Sequence, residues 1–104
     1  MTMLDAGLQI DKFHIDGVAV VVVRGEVDMV AAPLLRAAFD ALGPDEHVYV
    51  DCADVGFVDS AGLAALREMA QRNVAAGGPL HVLASDALRR SIALNGAAHL
   101  FYLD

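Results

Sequence analysis

Val55-Gly56-Phe57-Val58-Asp59-Ser60-Ala61-Gly62-Leu63 is the stretch that decides the fold. A β-type run passes through a short loop into a helical pattern, with Asp59-Ser60 marking the helix start. A strand feeding directly into a helix is the repeating unit of parallel α/β domains. Ser60 in such a place can cap free backbone N–H groups, a role worth about 1 kcal/mol. Gly62 weakens a first helical turn by about 1 kcal/mol relative to Ala. Its presence implies that something approaches the backbone closely, or that the helix packs tightly on a neighbour. A hydroxyl at a helix start also suits phosphorylation, because the added oxygens would meet unpaired N–H groups.

Towards the N-terminus, Leu8 to Ile15 alternates loosely, and Asp16-Gly17 is a turn signal before Val18-Ala19-Val20-Val21-Val22-Val23. The pair predicts a β-hairpin. The continuous β-branched run predicts a central strand with both faces covered. Arg24-Gly25-Glu26-Val27-Asp28 then breaks it. A helix is predicted over 31–42, with Pro33 in its first turn, Leu34, Leu35, Ala38 and Leu42 at helical spacing, and Gly43-Pro44 as its stop. Val48 to Cys52 predicts a short strand.

On the C-terminal side, a helix over 61–75 would bury Leu63, Leu66, Ala70 and Val74 and expose Arg67, Glu68, Gln71 and Arg72. Gly77-Gly78-Pro79 stops it. Leu80 to Leu83 predicts a strand. Ser85-Asp86 caps a helix over 87–94 that ends at Asn95-Gly96, and Leu100 to Leu103 predicts a last strand. The order β-β-α-β-α-β-α-β implies an α/β fold with a mostly parallel, mixed sheet whose N-terminal strand is antiparallel. Val20, Val22, Val50, Leu63, Leu66 and Leu83 are the expected core residues.

The 104 residues make one domain, 1–104, and 57% hydrophobic content is enough for a core. Fourteen acidic residues against seven basic ones give a net charge of −7. The basic residues are Lys12, Arg24, Arg36, Arg67, Arg72, Arg89 and Arg90, and only the last two are adjacent. No basic stripe follows a phosphate backbone, which argues against direct nucleic-acid binding. An acidic surface suits solubility or a protein partner with a basic face. Cys52 stands alone, so no disulfide or CxxC pair is implied, and its place in an apolar run reads as a core strand residue. Met1-Thr2-Met3-Leu4-Asp5 lacks the features of a signal peptide, and Val18 to Val23 is far too short to span a bilayer. The expectation is a cytoplasmic protein without membrane insertion.

Enzymatic motifs are missing. G-x-S-x-G fails around Ser60, whose flanks are Val58 and Gly62. His14, His47, His81 and His99 lack metal-ligand spacing, and no Walker-type glycine loop is present. No spacing assembles a nucleophile, base and oxyanion donor. The expectation is a binding module without catalytic residues, metal or cofactor.

Gly25-Glu26-Val27-Asp28, Ala32-Pro33 and Phe57-Val58-Asp59-Ser60-Ala61-Gly62-Leu63 resemble the signature of the STAS family, specifically its bacterial anti-sigma factor antagonists. Ser85 to Gly96 resembles that family's third helix and closing glycine, so the likeness runs from Leu8 to Leu103. The D-S-x-G-L motif is its most specific part. The resemblance implies a STAS-like fold and a partner-switching function in transcription regulation. Ser60 would be phosphorylated by a partner that is both serine kinase and anti-sigma factor. Unphosphorylated, the antagonist would bind that partner and free a sigma factor; a metal-dependent serine phosphatase would reset it. Asp28, Asp59, Ala61, Gly62 and Arg67 would contribute to partner binding, with Asp28 also able to cap the first helix. Two features depart from many relatives: Ala61 stands where they carry Ser or Thr, and the sequence stops at Asp104 where they carry a further helix. The alternative within the family is a non-phosphorylated subunit of a membrane transport complex of the lipid-trafficking type. Such relatives often have Thr at the acceptor position, so Ser60 favours the antagonist.

Overall fold

Asp16 and Gly17, with φ of 49° and 81°, reverse the chain between β2 (Leu8–Ile15) and β3 (Val18–Val27). Two consecutive positive φ values match the twist of the flanking strands, which pair antiparallel from Ile15 opposite Val18 to Leu8 opposite Gly25. The predicted hairpin is therefore present. The computed structural model describes residues 2–5, 7–43 and 46–104. It also shows a strand the sequence pattern did not reveal, β1 (Thr2–Asp5), paired antiparallel with β2.

From β3 onward the chain alternates: α1 (Ala32–Asp40), β4 (His47–Val58), α2 (Ser60–Ala76), β5 (Leu80–Ala84), α3 (Asp86–Leu94), a 3-10 turn (Ala98–Leu100) and β6 (Phe101–Leu103). The six strands lie in sequence order, with β3 to β6 parallel. Each crossover steps one strand in the same direction, and right-handed crossovers of that kind put every helix on the same face. The thinnest dimension of 20 Å fits one sheet and one helix layer.

That topology corrects the expectation that both faces of Val18 to Val23 are covered. Ala19, Val21 and Val23 are fully buried under the helices, whereas Val18 and Val20 on the opposite face are only half-buried. Val22 is buried on the open face because Asp11 and Asp51 flank it in register. Leu83, also on the open face, is half-buried, while Val50, Leu63 and Leu66 lie in the core as expected. Val21, Val50 and Val82 form one row across three parallel strands. Leu35 and Phe39 of α1, Leu63 and Leu66 of α2, and Leu88 and Ile92 of α3 pack on the core side.

Helix details follow the pattern with three adjustments. In α1 the inward residues are Ala32, Leu35, Ala38 and Phe39, with Leu34 and Leu42 at the margin. Pro44 of the expected stop lies outside the described residues. In α2 Ala65 and Met69 join the buried face, but Val74 is exposed. The last turn directs Asn73 inward instead, where its amide donates to the Gly78 carbonyl at 2.8 Å, and Gly77 ends the helix at φ 143°. Arg36–Glu68 (2.7 Å) and Arg72–Asp40 (3.2 Å) tie α1 to α2 on the surface, where such pairs add little stability. Ser85 caps α3 by accepting from the Leu88 N–H at 3.2 Å, and Gly96 follows its end at φ 63°.

β3 and β4 also run further than the polar residues suggested, to Val27 and Val58. Register shifts between Val22 and Arg24 and between Gly25 and Glu26 absorb the irregularity, as β-bulges do. Gly25, at φ 105°, is needed there: a Cβ would sit 2.1 Å from the Gly7 carbonyl oxygen.

Two outcomes follow from this packing. Leu66→Ala should cost about 2–5 kcal/mol in denaturant unfolding, because it opens a cavity where the side chain is 1% exposed. A loss under about 1 kcal/mol would contradict its burial. Burial pushes the Cys52 thiol up to about 12, with Asp51 adding to the shift. A thiol reagent should therefore label the native protein only as fast as it opens. Rapid labelling at neutral pH would show the site to be accessible.

Candidate functional site

The extended strands end side by side, Val27 opposite Val58, so Asp28 and Asp59 emerge as neighbours at the C-terminal edge of the parallel sheet. Open α/β sheets place their binding sites at this edge, because the loops there are free of the ladder. Each aspartate organises one loop. Asp28 accepts from the Ala31 N–H through Oδ1 at 2.8 Å, and its carbonyl accepts from the Ala32 N–H at 2.8 Å. The N-cap of α1 is Ala31, with Pro33 in the first turn, so Asp28 caps the turn that enters the helix rather than the helix itself.

Asp59 is the N-cap of α2, and this corrects the expectation that Ser60 caps it. Oδ1 of Asp59 accepts from the Gly62 N–H at 2.8 Å and Oδ2 from the Met29 N–H at 2.9 Å. Its own N–H donates to the Val27 carbonyl at 3.2 Å. One residue thus joins the end of β3, the loop after it and the start of α2. Gly62 makes that junction possible. A Cβ there would lie 1.9 Å from the Val27 carbonyl oxygen and 2.6 Å from its carbon. Of the two readings of this glycine, tight packing of the helix on its neighbour is the one realised. Gly62 is buried against β3, where it seats the helix.

With capping assigned to Asp59, Ser60 is the first residue of α2, exposed, and its hydroxyl makes no hydrogen bond among the described residues. Ala61 is half-buried beside it, and Arg67 lies half-buried two turns along the helix, about 10 Å away in axial rise. Around Ser60 stand exposed apolar side chains: Met29 (70% exposed) and Val30 after β3, Phe57 at the end of β4, and Leu94 (81%) at the end of α3. A shallow groove of about 360 Å³ runs between the start of α2 and α3, lined by Phe57, Ser60, Ala87, Arg90, Ser91 and Leu94. Sequence reasoning missed this apolar rim and Arg90. Only the exposure of Leu94, the last residue of a short amphipathic helix, could have been suspected.

The histidines belong to other places. His14 pairs with Glu46 at 2.6 Å, and together with the Gly43 N–H it holds the Glu46 carboxyl below its ordinary range. The His81 ring lies 4.7 Å from that of Tyr102 on the open face. Among the described residues no group of His, Cys, Asp and Glu is placed to hold a metal ion, and no polar or charged side chain is buried. Among the described residues no helix is long and apolar enough to cross a membrane.

Compared with known proteins, residues 13–102 match the family model described as "Mlab, STAS domain". The chain belongs to the STAS domain family. A crystal structure of an anti-sigma factor antagonist from Mycobacterium paratuberculosis is 36% identical, with a TM-score of 0.77; the match covers 92% of this STAS domain and 84% of that chain. The phosphorylated form of the Bacillus cell fate determinant SpoIIAA shares the fold at 18% identity and a TM-score of 0.69, covering 91% of this chain and 90% of that one. A search of the curated proteins gives no match.

The junction makes separable predictions for this STAS domain. Gly62→Ala should destabilise it despite the better helix propensity of Ala, because the Val27 backbone must move; a cost of about 1–3 kcal/mol is expected in urea unfolding. Asp59→Ala should cost about 0.5–2 kcal/mol and accelerate amide exchange at both Gly62 and Met29. Unchanged exchange at Met29 would show that the carboxylate does not hold the β3–α1 loop.

Proposed function

We propose that this STAS domain is an anti-sigma factor antagonist switched by phosphorylation at Ser60. Unmodified, it binds an anti-sigma factor that is also a serine kinase and so frees a sigma factor; a metal-dependent serine phosphatase returns it to that state. The observation that carries this reading is the free, exposed hydroxyl of Ser60 at the start of α2, relieved of capping by Asp59. The 36% identity to an anti-sigma factor antagonist supports it. Met29, Val30, Phe57 and Leu94 supply the apolar contact surface, since exposed apolar patches mark protein interfaces. Asp28, Asp59 and Arg67 add polar contacts at its border, and Ala61 lies beside the acceptor.

The switch works at the interface and leaves the fold intact. A helix start stabilises an anion by about 0.3–1 kcal/mol, so the modified free protein has no cause to rearrange. The phosphate adds about −1.5 to −2 charge next to Asp59. Two like unit charges about 4 Å apart repel by about 1 kcal/mol in water and about 4 kcal/mol near a protein surface. Docking expels water and moves the site toward the second value. At about 1.4 kcal/mol per tenfold, affinity should fall by roughly ten- to several-hundred-fold.

Pull-down with mass spectrometry, followed by ATP labelling with the captured kinase, tests the reading. A kinase-type anti-sigma factor should be captured, and label should map to Ser60 and not to Ser85 or Ser91. Ser60→Ala should abolish labelling while retaining binding, and Ser60→Asp should lose part of the affinity. Leu94→Ala should weaken binding without changing the melting temperature. Label persisting in the Ala variant, or capture of a membrane-transport ATPase instead, would overturn this function.

A further inference from the structure

The groove beside Ser60 carries two charged side chains with different occupations. Asp59 spends both carboxylate oxygens on the N–H groups of Gly62 and Met29. Arg90 is exposed and has no ion pair or hydrogen bond among the described residues. Other arginines are engaged: Arg24 with Asp11, Arg36 with Glu68, Arg72 with Asp40, and Arg89 with the Asp104 carbonyl. Along α3, positions 87, 90, 91 and 94 share one face by helical spacing, and all four line the groove. The helix therefore presents an unengaged guanidinium to the cleft whose other wall begins with Ser60. Arg67, which also has no ion pair or hydrogen bond among the described residues, sits two turns up α2 and outside this groove.

We propose that Arg90 receives the phosphate of phosphorylated Ser60, pairing with it across the groove and tying the start of α2 to α3. The inference rests on the Ser60 modification proposed above and names the group within the chain that answers it. A guanidinium offers a planar fork of N–H donors that fits phosphate oxygens two at a time. The pair would sit between Phe57 and Leu94, in the groove a partner would enter. Phosphorylation would then occupy the docking surface as well as charge it.

The test uses full-length protein with phosphoserine installed at position 60 during translation, so that no kinase is required. The second ionisation of the phosphate, at about pH 6 in an unpaired phosphoserine, is followed by phosphorus NMR, and the Arg90 Nε–H resonance by nitrogen-edited NMR. The neighbouring charges on Asp28, Asp59 and Arg67 are the same in every variant, so differences report position 90. The midpoint should be lower in the phosphoprotein than in its Arg90→Gln form, with Arg90→Lys between them. The Arg90 Nε–H resonance should move on phosphorylation. Unmodified Arg90→Gln should melt with the parent, because the side chain is exposed and unengaged. Equal midpoints with an unmoved Arg90 resonance would overturn the pairing. A missing cognate kinase would count against the switch, not against this contact.

Discussion

The backbone-to-backbone contact of Gly62 on the Val27 carbonyl is the constraint on which the functional end of this molecule depends. Helix α2 can start against the end of β3 only because no Cβ intervenes. That approach brings the Asp59 carboxylate within reach of Met29, on a loop thirty residues earlier in the chain. Without it, the β3–α1 loop and the start of α2 would be separate surface features. With it, they form one rigid edge from which Ser60, Met29 and Val30 project.

The same junction divides labour between adjacent residues. Asp59 supplies the side-chain cap of the helix start, accepting from the Gly62 N–H, so Ser60 is not the capping residue. A serine that capped the helix would lose its acceptor geometry on modification and disturb the turn. A serine placed one residue later can be modified while the cap stays intact. Positions 59 and 60 thus read as a scaffold residue followed by a free one.

Strand order explains the rest of the architecture. Four parallel strands in sequence order, joined by three crossovers of one hand, leave the helices on one face and the other face open. The core is therefore a single layer of small and branched side chains between sheet and helices, and alternate strand residues divide sharply in exposure. The open face carries Phe13, Ile15 and Tyr102 at about half exposure. The edge that carries Ser60 is built where strand ends, loops and helix starts meet, away from that face.

Local chemistry was legible in the sequence: the Asp16-Gly17 turn, the Ser85 cap, the glycine stops of α2 and α3, and the strand-to-helix passage at Asp59-Ser60. These depend on φ preferences and on hydrogen bonds spanning three or four residues, which the sequence determines by itself. The STAS signature and the α/β class were legible for the same reason, since they are patterns of such local signals. What only the tertiary structure decided depends on partners distant in the chain. Whether Val20 or Val21 is buried is set by which face the helices cover. The continuation of β3 and β4 through polar residues is set by their pairing with each other. The burial of Gly62, the hold of Asp59 on Met29, and the placing of Arg90 and Ser60 along one groove arise only when three crossovers stack side by side. No periodicity along one segment records what a neighbouring segment will bring against it.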